Sequence, residues 1–597
     1  MNATRSSVIS NNRNFAKKRE RESIAHSDSE KESDHSDEDE IDDEERFYDN
    51  RDAFSYEWTK VDVELPVTHT TRRGGIVSLE DNLPPWHGKT AFEANGNRVE
   101  ITELEFFHIF IDMDIIETFV ASTNAYGNQK IKNWIDTCVD EMMAFFGCIL
   151  AFGITKCPNR EMGFNGQEFA VPFLQNTMSE NRFNSLMNAW HFLDTTELSD
   201  EEYRKMKEAD CFFLVRGLLD HLRDKFLQNY RPGRLGSVDE SIMRWKGRHK
   251  ARCFNKSKPH HYHLKKWSFC CFETGYIINS YPYEGEDETR PAHISASEFP
   301  VFKLTQPECL HKLGMIIVSD NFFTSPGTIE INSIRGNHAV GTVRSNRKGL
   351  PTFENIRNRE RGHMEQYCTS MSHNPERKMY CVKWLDNKDV IVLSDFPSYL
   401  TECFRRRSRK DGPFRRMSVP QPSVIKTYNQ GMGGVDSADQ RLAILLQNIK
   451  TSKWPPRMMM QSINEVCFNA SVLYRLKHKK DNHYSIVDFT IGLCKQLAKN
   501  WSIDSLYDNK RRSFKKNDSF TGIFLSKCYP VAEFDENFNP GEKKNQFKRL
   551  KCRVCFNKCD IKCAGCKVHL CVKPRDPNSE SCWVKFHRGE IPRTGQK

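Results

Sequence analysis

Three aspartates stand in short segments that together could catalyse phosphoryl transfer. Asp239 lies in the fragment SVDES, Asp320 in VSDNFF and Asp436 in YNQGMGGVD. Carboxylate oxygens are the ligands that hard divalent cations prefer. A pair of such ions can activate the attacking oxygen at a phosphate ester and stabilise the leaving oxygen. In a chain with a formal net charge of +10, these residues predict a metal-dependent centre that cuts and joins nucleic acid.

Each aspartate stands where the pattern predicts a regular element. Asp239 lies within a strand expected over residues 237–243, and Asp320 ends an apolar run. Asp436 begins an apolar-periodic helix, and helices are expected from there to about residue 476. Asp439 follows three residues later and therefore lies on the same helical face. The three segments are far apart in the chain, so the fold must bring them together.

The sequence pattern divides the surrounding chain into helical and β-rich parts. Apolar residues recur at helical spacing from about residue 97 to 230, where Ser179 is expected to cap a helix. After residue 232 the chain becomes rich in short β-branched and aromatic runs. The expected strands are 237–243, 267–272, 276–283, 315–318, 338–343, 379–384 and 390–393.

A second group of residues with metal chemistry closes the chain. Seven of the 21 cysteines lie between Cys552 and Cys582, in two CxxC pairs followed by further cysteines and histidines. Thiolate and imidazole in sets of four predict tetrahedral zinc, here two structural ions. The expected ligands are Cys552, Cys555, Cys563, Cys566, His569, Cys571, Cys582 and His587. Cys559 is the alternative to His569, and a RING-type or histone-reading module is the alternative to recognition of DNA ends.

Charge and apolar content exclude a membrane protein and indicate a polyanion partner. Residues 1–50 hold 15 acidic and 8 basic residues, whereas residues 501–597 hold 21 basic and 11 acidic ones. The longest apolar run, Met142–Ile154, has 13 residues, fewer than the ~20 that span a bilayer. It is expected to be a buried helix. The cysteines outside the terminal cluster are scattered, as in reduced intracellular proteins.

Further fragments in the same order make the chain resemble the piggyBac transposases from about Glu103 to His587. The shared fragments are DES at 239–241, KGR at 246–248, KP at 258–259, DNF at 320–322, GTVR at 341–344 and MGGVDSADQ at 432–440, with Ser179, Arg182-Phe183 and His191-Phe192 in the helical part. The resemblance implies that Asp239, Asp320 and Asp436 are the catalytic residues and metal ligands, with Asp439 as an additional acid. It implies two Mg²⁺ ions as catalytic cofactors.

The resemblance also implies an architecture, a reaction and partners. The fold class is multidomain α/β, with an RNase H-like catalytic core, a β-rich insertion, a preceding helical domain and a small cysteine-rich zinc module at the end. In the implied reaction, water nicks one strand and the freed 3′-OH attacks the other strand to form a hairpin. The opened ends then join a TTAA target. The partners are double-stranded DNA and a second copy of the chain, and basic runs near residues 510–516 and 543–551 favour the nucleus.

The resemblance and the composition together divide the chain into seven regions. The expected regions are 1–95, acidic and disordered; 96–232, a helical dimerisation and DNA-binding domain; 233–330, the first part of the RNase H-like core; 331–425, the insertion domain; 426–504, the second part of the core with following helices; 505–548, a basic linker; and 549–590, the cysteine-rich zinc-binding domain.

Seven residues are expected to contact DNA, because cations bind phosphates and aromatic rings stack on bases. They are Arg248, Lys258, Lys265, Arg344, Arg347, Lys348 and Trp454. A solvated strand face is the alternative for the cations after Asp239. Trp454 matches a tryptophan of the family thought to stack on an unpaired base, and a buried residue at a helix start is its alternative.

Two further functions remain open from the sequence. A domesticated DNA-binding or chromatin protein would keep the fold without catalysis, and a metal-dependent endonuclease would cut without transposing. The three aspartates are all present, which favours the transposase. Terminal repeats beside the gene would separate it from the other two.

Overall fold

The structure is a computed structural model of the 597-residue chain. It describes residues 56–62, 102–256, 258, 260–285, 289–356, 359–406, 416–478, 484–503, 530–532, 550–552, 558–559, 561–563 and 570. The predicted acidic tail at 1–50 and most of the basic linker and zinc module lie outside these residues, so those predictions stay as they are.

Helices dominate the described chain before residue 230 and return after residue 422. In chain order they are α1 (Glu103–His108), α2 (Met113–Lys130), α3 (Val139–Thr155), α4 (Arg160–Asn165), α5 (Pro172–Thr177), α6 (Glu180–Ala189), α7 (Asp200–Ala209), α8 (Arg216–Gln228), α9 (Phe299–Thr305), α10 (Pro326–Ile334), α11 (Ser423–Gly431), α12 (Gly434–Leu445), α13 (Trp454–His478) and α14 (Ile486–Leu497), with 3₁₀ turns at Gln167–Phe169 and Glu308–Leu310.

Side-chain caps and apolar faces explain where several of these helices form. The Ser179 hydroxyl accepts a hydrogen bond of 3.3 Å from the Arg182 N–H, which confirms the predicted cap of α6. The apolar run at 142–154 lies inside α3, and nearly all of its side chains are buried, as predicted. Among the described residues, no helix is both long and apolar enough to cross a membrane.

Strands fill most of the chain between the two helical parts. They are β1 (Thr59–Val61), β2 (Leu235–Arg244), β3 (Arg252–Phe254), β4 (Tyr262–Cys271), β5 (Ile277–Pro282), β6 (Ile316–Ser319), β7 (His338–Thr342), β8 (Met364–Ser370), β9 (Lys378–Leu385), β10 (Asp389–Ser394), β11 (Leu400–Arg406), β12 (Arg416–Pro422), β13 (Pro530–Ala532), β14 (Leu550–Lys551), β15 (Lys558–Cys559) and β16 (Ile561–Cys563).

One mixed sheet of ten strands organises the centre of the molecule. Its order is β1-β8-β9-β10-β7-β6-β2-β4-β3, with β5 also paired to β4. The pairs β2–β6 and β6–β7 are parallel and the others antiparallel. Every residue of β6 is buried, as expected for a parallel strand covered on both faces. The observed mixture of sheet and helices confirms the multidomain α/β class.

The predicted strands coincide with β2, β4, β5, β6, β7, β9 and β10. The strand β8 has the mostly polar sequence MEQYCTS and was not predicted. The helices expected from Asp436 to about residue 476 are α12 and α13, which are separated by residues 446–453. Pro455 and Pro456 lack backbone N–H donors and fit only the first turn of a helix, so α13 starts anew at Trp454.

The helices before and after the sheet share one hydrophobic core. Side chains of α1–α6 and α8 form a single buried cluster with the β2–β4–β5 side of the sheet and with α12–α14. Helix α14 packs against α3 and α1, and α13 packs against α1, α3 and α8. Seventeen of the 25 residues in α13 are buried. Because α13 crosses the core, it fixes the helices on the sheet face that bears Asp239.

Candidate active site

The register of the parallel strands brings the first two aspartates together. Ser237 pairs with Val318, and Val238 pairs with Ser319, in the parallel β2–β6 ladder. The next residues in this register are Asp239 and Asp320, so the two stand side by side where β6 ends. The Phe322 N–H donates a 2.8 Å hydrogen bond to Asp320 Oδ1, which orients that carboxylate in the turn after β6.

Close approach of a glycine-rich segment places the third aspartate. The Ser237 hydroxyl donates to the Met432 carbonyl at 2.9 Å, joining β2 to the junction of α11 and α12. A Cβ on Gly431 would lie 2.5 Å from Val318 Cγ2, and one on Gly434 would lie 2.8 Å from Ser237 Cβ. Glycine at these two positions lets the junction lie directly on β2 and β6. Asp436 follows in the first turn of α12, where it is exposed.

Substituting Gly431 should separate this junction from the sheet. We expect Gly431→Ala to lower the free energy of unfolding by about 1–3 kcal/mol, since the added methyl group overlaps a buried valine. The rate of cleavage should fall by a larger factor than the loss of folded protein explains, because Asp436 moves with the helix. The matched control is Gly433→Ala, where a Cβ meets no atom within 4 Å. Urea unfolding of both variants tests this account, and equal stability of the two would contradict it.

Burial and mutual repulsion perturb the acids of this site. Burial, with the nearby charges of Asp320, Asp436 and Glu240, raises the pKa of Asp239 to about 7. The pKa of Asp320 is also raised, chiefly by burial, although the backbone N–H groups of Phe322 and Phe323 oppose the shift. Negative charge is therefore concentrated here without enough cationic partners to neutralise it. Such a site attracts a positively charged ligand.

The alternation of β2 assigns a partner to Asp439 that the sequence prediction missed. Ser237, Asp239 and Ser241 share one face of the strand, and the Ser241 hydroxyl donates a hydrogen bond to Asp439 Oδ1. Burial, together with the charges of Glu465 and Asp436, raises the pKa of Asp439 to about 6. Because side chains alternate along β2, the sequence alone could have predicted that Ser241 lies on the same face as Asp239.

A buried ion pair lies next to Asp439. Lys266 Nζ is 2.7 Å from Glu465 Oε2, and the two side chains are 8% and 6% exposed. The charge of Lys266 partly offsets the burial that raises the pKa of Asp439. This pair joins β4 to α13 behind the site, and the sequence contained no local sign of it.

The donor set fits a hard divalent cation in its chemistry. Asp239, Asp320, Asp436 and Asp439 offer only carboxylate oxygens, which are the ligands that hard divalent cations prefer. Within the described part of the chain, no three His, Cys, Asp or Glu side chains are gathered tightly enough to hold a metal ion as they are placed. The four aspartates would be the ligands, and the two-Mg²⁺ prediction stays a prediction.

Two of the predicted DNA contacts are engaged with an acid on the opposite face of β2. Lys258 Nζ lies 2.8 Å from Glu240 Oε1, and Lys265 Nζ lies 3.7 Å from Glu240 Oε2. Burial raises the pKa of Glu240, but the hydrogen bond and charge of Lys258 outweigh it and the net shift is downward. Lys265 also lies 4.0 Å from the ring centroid of Trp267. Both lysines are therefore already partly neutralised by Glu240.

The predicted contacts near residue 344 support the turn that bears Asp320. Arg344 Nε donates to Asn321 Oδ1 at 3.1 Å. Arg347 donates to the carbonyls of Asn321 and Phe322 at 3.1 and 2.7 Å. Arg344 and Lys348 are exposed, whereas the Arg347 guanidinium is engaged with the protein. The arrangement makes Arg347 a positioning residue for the turn.

The remaining predicted contacts lie on a neighbouring surface. Arg248 is exposed in the loop after β2. Trp454 is half-buried at the start of α13, with its ring nearly perpendicular to those of His249 and Phe212 at centroid distances of 4.8 and 5.6 Å. The half-buried position of Trp454 is compatible both with stacking on a DNA base and with packing inside the protein.

Only a fragment of the cysteine-rich module is described. Cys552 is buried next to β14, Cys563 ends β16, and the alternative ligand Cys559 is buried in β15. Strands β14 and β15 pair with Leu550 opposite Cys559. The predicted ligands Cys555, Cys566, His569, Cys571, Cys582 and His587 lie outside the described residues.

Comparison with known proteins gives a consistent result. A family model described as Transposase IS4 matches residues 102–471. The human PiggyBac transposable element-derived protein 3 is 25% identical over 501 residues, which cover 81% of this chain and 76% of that protein. The human PiggyBac transposable element-derived protein 2 is 26% identical over 388 residues, covering 63% of this chain and 62% of that protein.

A solved structure has the same fold. The cryo-EM structure of the piggyBac transposase synaptic complex with hairpin DNA superposes with a TM-score of 0.57 at 23% identity, covering 77% of this chain and 95% of that chain. The family model spans more than half of the sequence and includes all four aspartates of the site. The chain therefore belongs to this transposase family, and its relatives place it among the piggyBac transposases.

Proposed function

We propose that the protein is a divalent-metal-dependent DNA transposase that cleaves at element ends, forms hairpins and joins the ends to TTAA targets. The observation that supports it most is the meeting of Asp239 and Asp320 in the β2–β6 register, with Asp436 laid against them by α12. The strand order β5-β4-β2-β6-β7, with two parallel pairs, is the arrangement of an RNase H-like core. Membership of a DDE-type transposase family implies the use of divalent metal ions.

The residues of the site would divide the work of phosphoryl transfer. When bound, Mg²⁺ would stabilise the charge that develops on the phosphate. Asp239, Asp320 and Asp436 would hold it, and Asp439, fixed by Ser241, would complete the acidic set. The Phe322 N–H and the Arg347 guanidinium keep the turn of Asp320 in place. The same site would align first an attacking water and then the freed 3′-OH with the phosphate.

Labelled duplex DNA with the candidate element end and TTAA tests this proposal. With Mg²⁺, the protein should nick the duplex and convert the end to a hairpin, and with EDTA it should do neither. A blunt double-strand break without a hairpin would instead support the endonuclease alternative. The control duplex has the TTAA sequence and a scrambled terminal repeat, and it should remain intact.

A non-catalytic DNA-binding protein is the second candidate. It is favoured by the names of the two human relatives, which are element-derived proteins. Specific binding of the end without cleavage, by a folded protein in Mg²⁺, would support this candidate. We place either protein in the nucleus, because both activities require access to element ends within chromosomal DNA, and we propose a homodimer because the family resemblance implies one.

The terminal cysteines are proposed to hold two structural zinc ions that shape a DNA-end-recognition module. The basic residues around them in the sequence and the CxxC spacing support this proposal. Metal analysis of the full chain should find two zinc ions per molecule. Removing residues 549–597 should abolish zinc binding and weaken preference for element ends, while the central sheet stays folded. Zinc retained by the truncated chain, or an unchanged end preference, would contradict the proposal.

A further inference from the structure

An exposed aromatic pair lies at the edge of the main sheet, apart from the four aspartates. Phe254 in β3 and Tyr262 in β4 are opposite each other in the ladder, with ring centroids 4.9 Å apart. The residues are 61% and 41% exposed, respectively. Apolar surface of this kind, rimmed by polar groups, is typical of a binding site.

The rim of this aromatic pair is strongly cationic. The exposed basic residues nearby in the chain are Arg244, Lys246, Arg248, Lys250, Arg252, Lys256 and His260. Within the described chain, no carboxylate lies within ion-pair distance of the first three of these. Burial and the charges of Arg244, Arg457, His263 and Lys246 lower the pKa of His260, which shows that the cations are crowded. A surface with this charge is complementary to a polyanion.

Arg252 fixes the aromatic pair to the cationic loop. Its guanidinium carbon lies 5.0 Å from the centroid of the Tyr262 ring. Its Nη1 donates to the carbonyls of Lys246 and Gly247 at 3.0 and 3.1 Å. The guanidinium thus holds one ring and one loop in a fixed relation. A preorganised aromatic surface loses little conformational entropy when a ligand binds.

The position of the pair relative to the active site follows from the ladder. Asp239 is opposite Ser268 in β4, and Tyr262 stands six residues earlier in the same strand. At ~3.3 Å per residue the separation is about 20 Å. An even spacing along β4 places Tyr262 on the sheet face that bears Asp239. A DNA strand held at the aspartates would span this separation with about six nucleotides, at ~3.4 Å each.

We propose that Phe254 and Tyr262 form a stacking platform for unpaired bases of the DNA strand that leaves the active site. The rings would stack on the bases, and the cations of the rim would contact the phosphates. Paired bases inside a duplex have no free face, so the platform selects unwound or overhanging DNA over intact duplex. The proposal deepens the proposed function and rests on it.

Fluorescence anisotropy with two labelled DNAs tests the platform. One is a blunt duplex with the element end, and the other has the same end with about eight unpaired nucleotides. The double variant Phe254→Ser/Tyr262→Ser should bind the overhang DNA about tenfold to a hundredfold more weakly and the blunt duplex about equally well. Phe254→Trp should keep the affinity of the intact chain. Phe169→Ser, which alters a residue that is 73% exposed on a helical surface, is the matched control and should bind both DNAs normally.

The salt dependence of binding separates stacking from phosphate contact. The ring variants should leave the slope of log affinity against log salt unchanged, whereas Arg244→Ala/Lys246→Ala should reduce it by about one to two units. Equal loss of affinity for both DNAs, or a changed slope in the ring variants, would overturn the platform. The Mg²⁺-dependent cleavage assay is independent of it, so failure of the platform alone would leave the proposed function standing.

Discussion

Replacing Asp239, Asp320 or Asp436 with asparagine is expected to abolish strand cleavage and to leave DNA binding nearly unchanged. An amide keeps the size of the side chain but loses the charge that holds a divalent cation. Metal ions contribute several kcal/mol to the transition state, and each ~1.4 kcal/mol is tenfold in rate. We therefore expect a loss of about a thousandfold or more in a cleavage time course on labelled end DNA.

The matched control for these variants is Asp389→Asn. Asp389 begins β10 in the same sheet and pairs with Arg359 at 2.9 Å, away from the four aspartates. The Asp389→Asn protein has the same change from carboxylate to amide, and it should cleave the DNA normally. Anisotropy of the same duplex should show binding by all the variants. Cleavage retained by any one of the three variants would remove that residue from the catalytic set.

The second large effect concerns stability, in the helical part of the molecule. Arg182 and Glu141 form a buried ion pair, in which Arg182 Nε donates to Glu141 Oε1 at 2.7 Å and the side chains are 6% and 1% exposed. Arg182 also donates to the Ile135 carbonyl at 3.0 Å and covers the Trp134 ring. Arg182→Met leaves Glu141 buried and unpaired, which should lower the free energy of unfolding by about 3–5 kcal/mol.

A double variant distinguishes lost pairing from lost packing. Arg182→Met combined with Glu141→Leu removes both charges, and it should recover most of the lost stability. Urea unfolding followed by circular dichroism measures all three proteins. If the double variant is as unstable as Arg182→Met, the damage comes from packing around Trp134, and the electrostatic explanation is wrong.

The parts of the site that depend on local sequence patterns could be predicted from the sequence. Asp239 was predicted from its place within a strand and Asp320 from its place at the end of an apolar run, and their pairing follows from adjacent parallel strands. Ser241 could have been found by the same alternation, since it lies two residues after Asp239. Ser179 was predicted as a cap from its type alone, and the structure confirms it.

The contacts that escaped prediction join segments distant in the chain. Glu240 meets Lys258 because the loop after β3 folds back over β2, and no local pattern indicates that path. Lys266 and Glu465 are 199 residues apart and meet only because α13 crosses the core. Arg347, for which DNA contact stays a prediction, hydrogen-bonds to the turn of Asp320, and no local pattern indicated that contact. Long-range packing decides each of these cases.

One measurement tests the central claim most directly: the products formed from a duplex labelled at the element end, in Mg²⁺, by the intact protein and by Asp320→Asn. Denaturing gels resolve nicked strands from hairpins, and anisotropy on the same samples confirms that both proteins bind. We expect hairpins from the intact protein and none from the variant. Hairpins from both would contradict the assignment of the aspartate site, and none from a folded, DNA-bound intact protein would contradict the transposase.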